Sequence, residues 1–243
     1  LDLISFAQNK FGLKKGEDYW YRLSLGNRKD DKKYYKDDNA WDEAEGALRQ
    51  VLKSQDVPFT EVENEAAFYG PKIDIQMKDV RGKEDTAFTV QYDFVMPKRF
   101  NLVYTGKDGK EKLAIVIHRS SIGSIERIMA FIIEKTGGNF PLWLSPIQAR
   151  ILPVSEKHNK YGGKILKELI DAGIRAEIDD SNETLGKKVR EAKVLKIPYN
   201  IIIGDKEIET NKITLESRDK GKVGEMVVDE MIKSLLDEIG NKA

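Results

Sequence analysis

The pattern of strands and helices changes at the segment FPLWLSP, where Pro141 and Pro146 bracket a short connector. Before the connector, short apolar runs are separated by short turns, which is typical of an antiparallel sheet. After it, strands and helices alternate, which favours a parallel sheet because each parallel pair needs a crossover connection. The sequence therefore predicts an α+β antiparallel-sheet domain over residues 1–145 and an α/β domain over residues 146–243.

The first predicted domain mixes helices and strands without regular alternation. Helices are predicted near 1–11, 40–54 and 125–133, and strands at 19–25, 59–62, 73–80, 86–94, 100–104 and 114–118. The charged segment NRKDDKKYYKDD, residues 27–38, is predicted to be a solvated loop. The Asp108-Gly109 pair indicates a hairpin turn between the last two strands.

The second predicted domain is a mixed, largely parallel five-stranded sheet with three helices. Its strands include runs at 150–154, 175–178, 199–203 and 213–216, and its helices are predicted at 160–172, 184–196 and 225–239. We find no internal repeat and no low-complexity segment.

Composition excludes several kinds of site. The 41 basic residues balance 41 acidic residues, so any site for a polyanion must be a local basic patch. Cysteine is absent, which excludes disulfides and thiol nucleophiles and fits a reducing cytoplasm. With His118 and His158 as the only histidines, the chain alone does not supply a conventional Cys/His zinc site. The sequence contains neither a signal-peptide pattern nor an apolar run of about 20 residues, so it gives no indication of export or membrane insertion.

The first residues, LDLISFAQNKF, begin within a helical pattern that has neither an initiator Met nor a cap. We therefore expect the chain to be a fragment or a processed form of a longer protein.

The segment from His118 to Ile133 carries the strongest local signal for chemistry. Its apolar residues recur at three-and-four spacing and predict one buried stripe, formed by Ile125, Ile128, Met129, Ile132 and Ile133. Gly123 and Ser124 indicate a helix start, where free N–H groups and the helix dipole favour an anion. Arg127, on the opposite face, would hold a phosphate in a nucleotide cleft. An ordinary amphipathic helix with a solvated Arg is the alternative.

Two other segments are open to a functional or a structural interpretation. FYGPKID places a Gly-Pro turn directly before Lys72, and such turns are more often structural than catalytic. In the strand TVQYDF, Gln91 lies on the same side as Thr89 and Asp93 at period two. A polar strand face opposite a buried one suits a binding floor, although solvent exposure explains it equally well.

These motifs, in order, resemble a known family. FYGPKID, TVQYDF, IHR, GSIER and FPLWLSPIQ resemble the C-terminal half of the catalytic domain of class II threonyl-tRNA synthetases. GIRAEIDD, NETLGKKVREA and KIPYNIIIGDKE resemble their anticodon-binding domain. The resemblance covers essentially the whole chain. It implies ATP-dependent activation of threonine, with Mg²⁺, and transfer to tRNA(Thr) by a cytoplasmic homodimer.

The resemblance assigns an ATP-binding role to the helix start. Arg127 matches the family's motif 3 arginine, which binds the triphosphate of ATP, and Gly123 and Ser124 lie at the same ATP edge. A planar, permanently charged guanidinium suits the charge that develops on the α-phosphate during adenylation.

The resemblance also implies an amino-acid and metal site. Tyr69, Lys72 and Gln91 match residues that surround the amino acid and the adenylate, while His118 matches one of three protein ligands of a catalytic Zn²⁺. That metal binds the amino and hydroxyl groups of threonine, which excludes valine. The other zinc ligands, motif 1 and motif 2 belong upstream in the family, so we expect this chain to be inactive alone and to bind zinc weakly.

For the anticodon-binding domain, Asn182, Arg190 and Glu207 match positions that contact the anticodon, where such groups read splayed base edges. Two departures qualify the resemblance. Thr86 stands where the family usually has a glutamine near ATP, and Glu216 stands where it has an RNA-binding arginine, a role that Arg218 is a candidate to take over.

The competing hypothesis is a non-catalytic RNA-binding protein built on the same scaffold. Thr86 and Glu216 favour it, whereas His118, Arg127, Lys72 and Gln91 oppose it because a binding module needs neither metal nor triphosphate ligands. Prolyl- and glycyl-specific relatives share the C-terminal domain, but a histidine in the IHR strand favours threonine.

Overall fold

The structure is a computed structural model that describes residues 1–242, and it divides into two compact units. The first covers residues 1–134 and the second the described residues from 135 onward. The two predicted kinds of architecture are both present, whereas the domain boundary after residue 145 stays a prediction.

The first unit contains the following elements in chain order: α1 (Asp2–Lys10), β1 (Tyr19–Ser24), α2 (Asp38–Ser54), β2 (Phe59–Val62), β3 (Lys72–Lys78), β4 (Glu84–Asp93), α3 (Met96–Arg99), β5 (Val103–Thr105), β6 (Glu111–Leu113), β7 (Val116–Ser120) and α4 (Ile125–Thr136). The short helix α3 was not predicted. The hairpin around Gly109 joins β5 to β6, while β7 belongs to the main sheet.

The main sheet of this unit has the strand order β2-β1-β3-β4-β7. The predicted antiparallel pairing is confirmed for β1 with β3, β3 with β4, and β4 with β7. The strands β1 and β2 are parallel, because the crossover helix α2 returns the chain to the same end of the sheet. The strand β7 is therefore at one edge.

Helix α2 fixes an aromatic cluster against this sheet. The Asp37 side chain caps the helix by accepting a hydrogen bond from the Ala40 amide at 3.1 Å. The ring of Trp41 packs edge-on against Phe94 at 5.2 Å and Tyr34 at 5.6 Å between centroids, and its Nε1 donates to the Tyr35 carbonyl at 2.8 Å. The prediction of a wholly solvated charged loop is thus wrong at Tyr34, which is buried because Trp41 offers it an apolar partner.

The prediction that the apolar residues of α4 form a single buried stripe is also wrong in part. Ile128 and Ile132 are buried, but Ile125, Met129 and Ile133 are 61%, 55% and 48% exposed. Residues at i, i+4 and i+8 share one side of a helix, so the exposed three form a row beside the buried pair. The apolar surface of α4 is therefore buried along one side and exposed along the other.

The second unit contains a 3-10 turn (Leu142–Leu144), β8 (Ala149–Pro153), a second 3-10 turn (Glu156–His158), α5 (Asn159–Asp171), β9 (Ala176–Ile178), α6 (Leu185–Val194), β10 (Tyr199–Ile203), α7 (Asp205–Thr210), β11 (Ile213–Ser217), β12 (Gly221–Met226) and α8 (Val228–Asn241). The predicted start of the last helix at residue 225 is wrong, because residues 221–226 pair with β11 as a fifth strand.

The five strands have the order β12-β11-β10-β8-β9, which confirms a mixed sheet with a parallel core. The strands β8, β9 and β10 are mutually parallel, and β11 and β12 add antiparallel partners. One apolar face of this sheet is buried by α5 and α8, through residues that include Ile165, Leu169, Met231 and Leu235. Among the described residues, no helix combines the length and apolar character needed to cross a bilayer.

Replacement of Trp41 tests the aromatic cluster. We expect Trp41→Ala to lower the free energy of unfolding by about 3–5 kcal/mol, because it leaves a cavity among buried rings. Val51→Ala, on the same helix at a site that is 42% exposed, should change it by less than about 0.5 kcal/mol. Denaturant unfolding monitored by circular dichroism makes the comparison, and equal losses would contradict the central position of Trp41.

Candidate active site

A continuous polar face runs across three strands of the first sheet. In β3, Lys72, Asp74 and Gln76 alternate with the buried residues Ile73, Ile75 and Met77, so the two sets lie on opposite faces. The register places Lys72 opposite Gln91, and Gln91 opposite His118. Simple solvent exposure does not describe this face, because Asp74 and Asp93 lie on it and are buried, while its use as a binding floor stays a prediction.

Asp74 organises the centre of this face. Its carboxylate has no solvent exposure and accepts hydrogen bonds from Ser24 Oγ at 2.7 Å and Thr89 Oγ1 at 3.0 Å. It also pairs with Lys72 Nζ at 3.0 Å and Arg22 Nη2 at 3.2 Å. A buried carboxylate is tolerated only with such partners, and the arrangement fixes the ammonium of Lys72 on the cleft floor.

Asp74 was not among the site residues predicted from the sequence. The signal was the alternation of polar and apolar residues in KIDIQM, which places Asp74 beside Lys72 on one face. Its full burial depends on contacts from the neighbouring strands β1 and β4, which are distant in sequence.

Tyr69, Gln91 and His118 form one end of the polar face. The Tyr69 hydroxyl donates a hydrogen bond to Gln91 Oε1, and its ring lies 5.4 Å from the His118 ring between centroids. Burial, and then the charge of Asp93, raise the pKa of the Tyr69 hydroxyl, so it remains a neutral donor at physiological pH. The three side chains thus place hydrogen-bond donors and acceptors next to Lys72.

The orientation of His118 is set by Asp93. Asp93 Oδ1 accepts from the amides of Val95 at 3.0 Å and Met96 at 2.9 Å, while Oδ2 lies 2.8 Å from His118 Nε2. This contact assigns the proton to Nε2 and leaves Nδ1 as the nitrogen for a ligand or a metal. Carboxylates orient metal-binding histidines in this way.

The described residues do not complete a metal centre. Within residues 1–242, no group of three or more His, Cys, Asp or Glu residues is arranged to hold a metal ion. A role for His118 as one ligand of a zinc ion therefore stays a prediction.

The start of α4 forms the other end of the cleft. Gly123 has a φ of +67°, and a Cβ atom there would lie 2.0 Å from the carbonyl oxygen of Ala87, so the position requires glycine. The Ser124 hydroxyl accepts a hydrogen bond from the Arg127 amide at 3.2 Å. The Arg127 guanidinium donates through Nη1 to the carbonyl of Thr86 at 2.6 Å.

The two ends meet around one cavity of about 270 Å³. Of the residues expected to bind substrates, Lys72, Gln91, Gly123, Ser124 and Arg127 line it. Tyr69 and His118 lie next to Gln91 but do not line the cavity. The cavity joins two cations and an open helix start to a polar floor, which suits a phosphorylated ligand with a polar substituent. The individual binding roles stay predictions.

In the second unit, the expected anticodon residues lie in different environments. Asn182 is exposed in the loop that follows β9, and Arg190 is exposed on α6. Glu207 lies on α7, directly after β10, but both of its carboxylate oxygens are engaged, by the Gly204 amide at 2.9 Å and Thr214 Oγ1 at 2.7 Å. Asn182 and Glu207 follow the carboxyl ends of parallel strands, where α/β sheets commonly bind ligands.

Glu216, which departs from the family pattern in the anticodon-binding domain, and Arg218, its expected substitute, both contact other residues of the second unit. Glu216 Oε1 lies 3.6 Å from Lys193 Nζ of α6, on a sheet face that it shares with Asn200. Arg218 donates to the carbonyls of Lys196 at 3.0 Å and Phe140 at 3.1 Å and pairs with Asp219. Its expected role as a substitute for the family arginine does not fit this geometry, because its guanidinium is bound by the protein.

Each of the two units contains a segment that matches a protein-family model. Residues 15–136, half of the chain, match the tRNA synthetase class II core domain (G, H, P, S and T). Residues 148–238 match the anticodon binding domain.

Curated relatives and solved structures are similar over nearly the whole chain. It is 40% identical over 242 residues to the threonine–tRNA ligase of Clostridium perfringens and 44% identical over 240 residues to that of Staphylococcus carnosus, covering 100% and 98% of the chain. The chain spans 37% of the length of each. The crystal structure of the RNA binding domain of threonyl-tRNA synthetase from Cryptosporidium parvum superposes with a TM-score of 0.87 at 34% identity, covering 98% of this chain and 58% of that one.

A pair of glycine variants tests the close approach at the helix start. Gly109→Ala carries only the cost of a positive φ, because a Cβ atom there would have no neighbour within 4 Å, and should lower the free energy of unfolding by about 1–2 kcal/mol. Gly123→Ala must also displace the Ala87 carbonyl and should lose about 1–3 kcal/mol more. Denaturant unfolding compares the two variants. Equal losses in the free energy of unfolding would show that the Ala87 carbonyl of β4 moves aside at no cost, and would contradict a fixed contact at Gly123.

Proposed function

The chain belongs to the family of class II tRNA synthetase core domains, and we propose that it is part of a threonine–tRNA ligase. In this proposal the first unit contributes to activation of threonine with ATP, and the second unit binds the anticodon of tRNA(Thr). The observation that carries the proposal is the cavity between the start of α4 and the Lys72–Gln91 face.

ATP binds at the α4 end of the cavity in this proposal. Arg127 and the helix start at Gly123 and Ser124 supply positive charge and free N–H groups for its phosphates. The carboxylate oxygen of threonine attacks the α-phosphorus, the bond to the β-phosphate bridging oxygen breaks, and pyrophosphate leaves. Arg127 acts by stabilising charge on the phosphates, and Mg²⁺ accompanies the nucleotide.

Threonine binds at the other end of the cavity. Lys72 is held in place by Asp74 and offers an ammonium to the anionic carboxylate or adenylate. Gln91 lines this end of the cavity and offers polar contacts to the amino acid, while the hydroxyl of Tyr69 holds the Gln91 side chain in place. A site built from buried polar groups rejects valine, which is nearly isosteric with threonine but leaves those groups unpaired.

A zinc ion bound to His118 is the finer part of the proposal. Nδ1 of His118 faces away from Asp93 and is chemically suitable as one ligand. Since the described residues provide no complete metal group, the remaining ligands would come from a longer protein, and we assign no reaction step to the metal.

The exposed side of α4 supports a longer catalytic domain. The row formed by Ile125, Met129 and Ile133 lies uncovered, and β7 is at the edge of its sheet. Contiguous exposed apolar side chains commonly mark a surface that another segment or chain covers. Together with the 37% span of the relatives, this favours a core completed outside these residues. A cytoplasmic location and a homodimeric enzyme are further parts of the proposal.

The first test is ATP–pyrophosphate exchange by the natural full-length protein that contains this chain. Threonine, serine, valine and proline are offered separately, with Mg²⁺ and Zn²⁺ supplied. We expect exchange with threonine, less with serine and almost none with valine or proline, because the site recognises the hydroxyl group. No exchange by a folded, zinc-loaded protein would overturn the enzyme proposal and favour the RNA-binding relative.

A second test separates the two units. Arg190→Ala removes an exposed cation from α6 and should raise KM for tRNA(Thr) by about fivefold or more, since charge-assisted contacts contribute roughly 1–3 kcal/mol, with no change in KM for ATP. Lys233→Ala, which removes an exposed cation from α8, is the matched control. Aminoacylation kinetics make the comparison, and equal effects of the two variants would contradict a specific role for Arg190.

A further inference from the structure

Arg127 lies between two cavities. On one side is the 270 Å³ cleft that Lys72 and Gln91 also line, and on the other is a cavity of about 210 Å³ between α4 and the end of the β3–β4 hairpin. The second cavity is also lined by Asp85 and Phe131. Arg127 is therefore the group that connects the proposed ATP site to the hairpin.

The guanidinium of Arg127 is held on the hairpin side. Its Nη1 donates to the Thr86 carbonyl at 2.6 Å and lies 3.3 Å from Asp85 Oδ1. Both of these contacts are made through Nη1, on one side of the guanidinium. The Thr86 carbonyl carries no net charge, so it orients the guanidinium without opposing its positive charge, whereas the carboxylate of Asp85 partly offsets that charge.

Asp85 has no other cation partner among residues 1–242. Its neighbour Glu84 lies on the opposite face of β4 and pairs with Lys78 Nζ at 3.8 Å. Asp85 and Arg127 are 56% and 52% exposed, so the pair is hydrated and easily exchanged for another anion. The charge of Asp85 is thus directed at the one arginine that the proposed function assigns to the phosphates of ATP.

We propose that Asp85 is a built-in competitor of the ATP phosphates for Arg127 and lowers the affinity of the site for ATP. The inference rests on the proposed function. Binding of the nucleotide breaks the Asp85–Arg127 pair or leaves the carboxylate close to a polyanion, and both raise the free energy of the complex. Exposed ion pairs are weak, so the effect is modest: removal of the charge lowers KM for ATP by about two- to fivefold at low salt.

The test measures ATP–pyrophosphate exchange by the natural full-length protein with Asp85→Asn, Glu84→Gln and Arg127→Ala. The Asp85→Asn substitution removes the charge and keeps the shape of the side chain. We expect it to lower KM for ATP, to leave KM for threonine unchanged, and to lose its effect at high salt because the interaction is screened. Glu84→Gln removes a charge one residue away and should leave KM for ATP unchanged.

The outcomes separate the inference from the proposed function. A raised or unchanged KM for ATP in Asp85→Asn at low salt would show that Asp85 does not compete for Arg127, and would overturn the inference. An equal decrease in Glu84→Gln would attribute the effect to overall charge and would also overturn it. If Arg127→Ala leaves KM for ATP unchanged, the assignment of Arg127 to ATP is wrong, and the proposed function loses its ATP-binding residue.

Discussion

Asp74 carries a carboxylate without solvent exposure at the centre of the first sheet, where it joins side chains from three strands. Burial of a charge is costly, and here the cost is offset by two hydroxyl donors and two cations. Because these partners come from β1, β3 and β4, the contact also opposes a register slip, which would move every polar side chain to the opposite face. The position of Lys72, and with it the polar floor, follows from this one group.

The sequence predicted the elements whose periodicity is clear and failed where structure depends on distant partners. Alternation located β3 and β4, and apolar spacing located α2. The strand β12 was missed because Gly221 and Gly224 interrupt any alternation, so pairing with β11 decides its conformation. For the site, the face of Gln91 was predictable from period two, whereas the central role of Asp74 depends on burial by neighbouring strands.

At Thr86, where the sequence departs from the family pattern, the backbone and the side chain have separate contacts. Arg127 binds the backbone carbonyl of Thr86, which any residue at that position supplies. The Thr86 side chain instead accepts a hydrogen bond from Gln76 Nε2 at 2.7 Å on the facing strand. Substitution at this position therefore changes the polar surface near the cleft without removing the group that orients the arginine. Thr86 therefore gives less support to the hypothesis of a non-catalytic RNA-binding protein than its sequence position alone implied.

The uncovered row on α4 has a consequence for how these residues behave when they are isolated. Ile125, Met129 and Ile133 lie on a helix that follows directly from β7, the edge strand of the sheet. An edge strand has unpaired backbone N–H and C=O groups, and exposed apolar side chains avoid water, so the two features together promote self-association. In the isolated chain this surface therefore favours association between copies as the protein concentration increases.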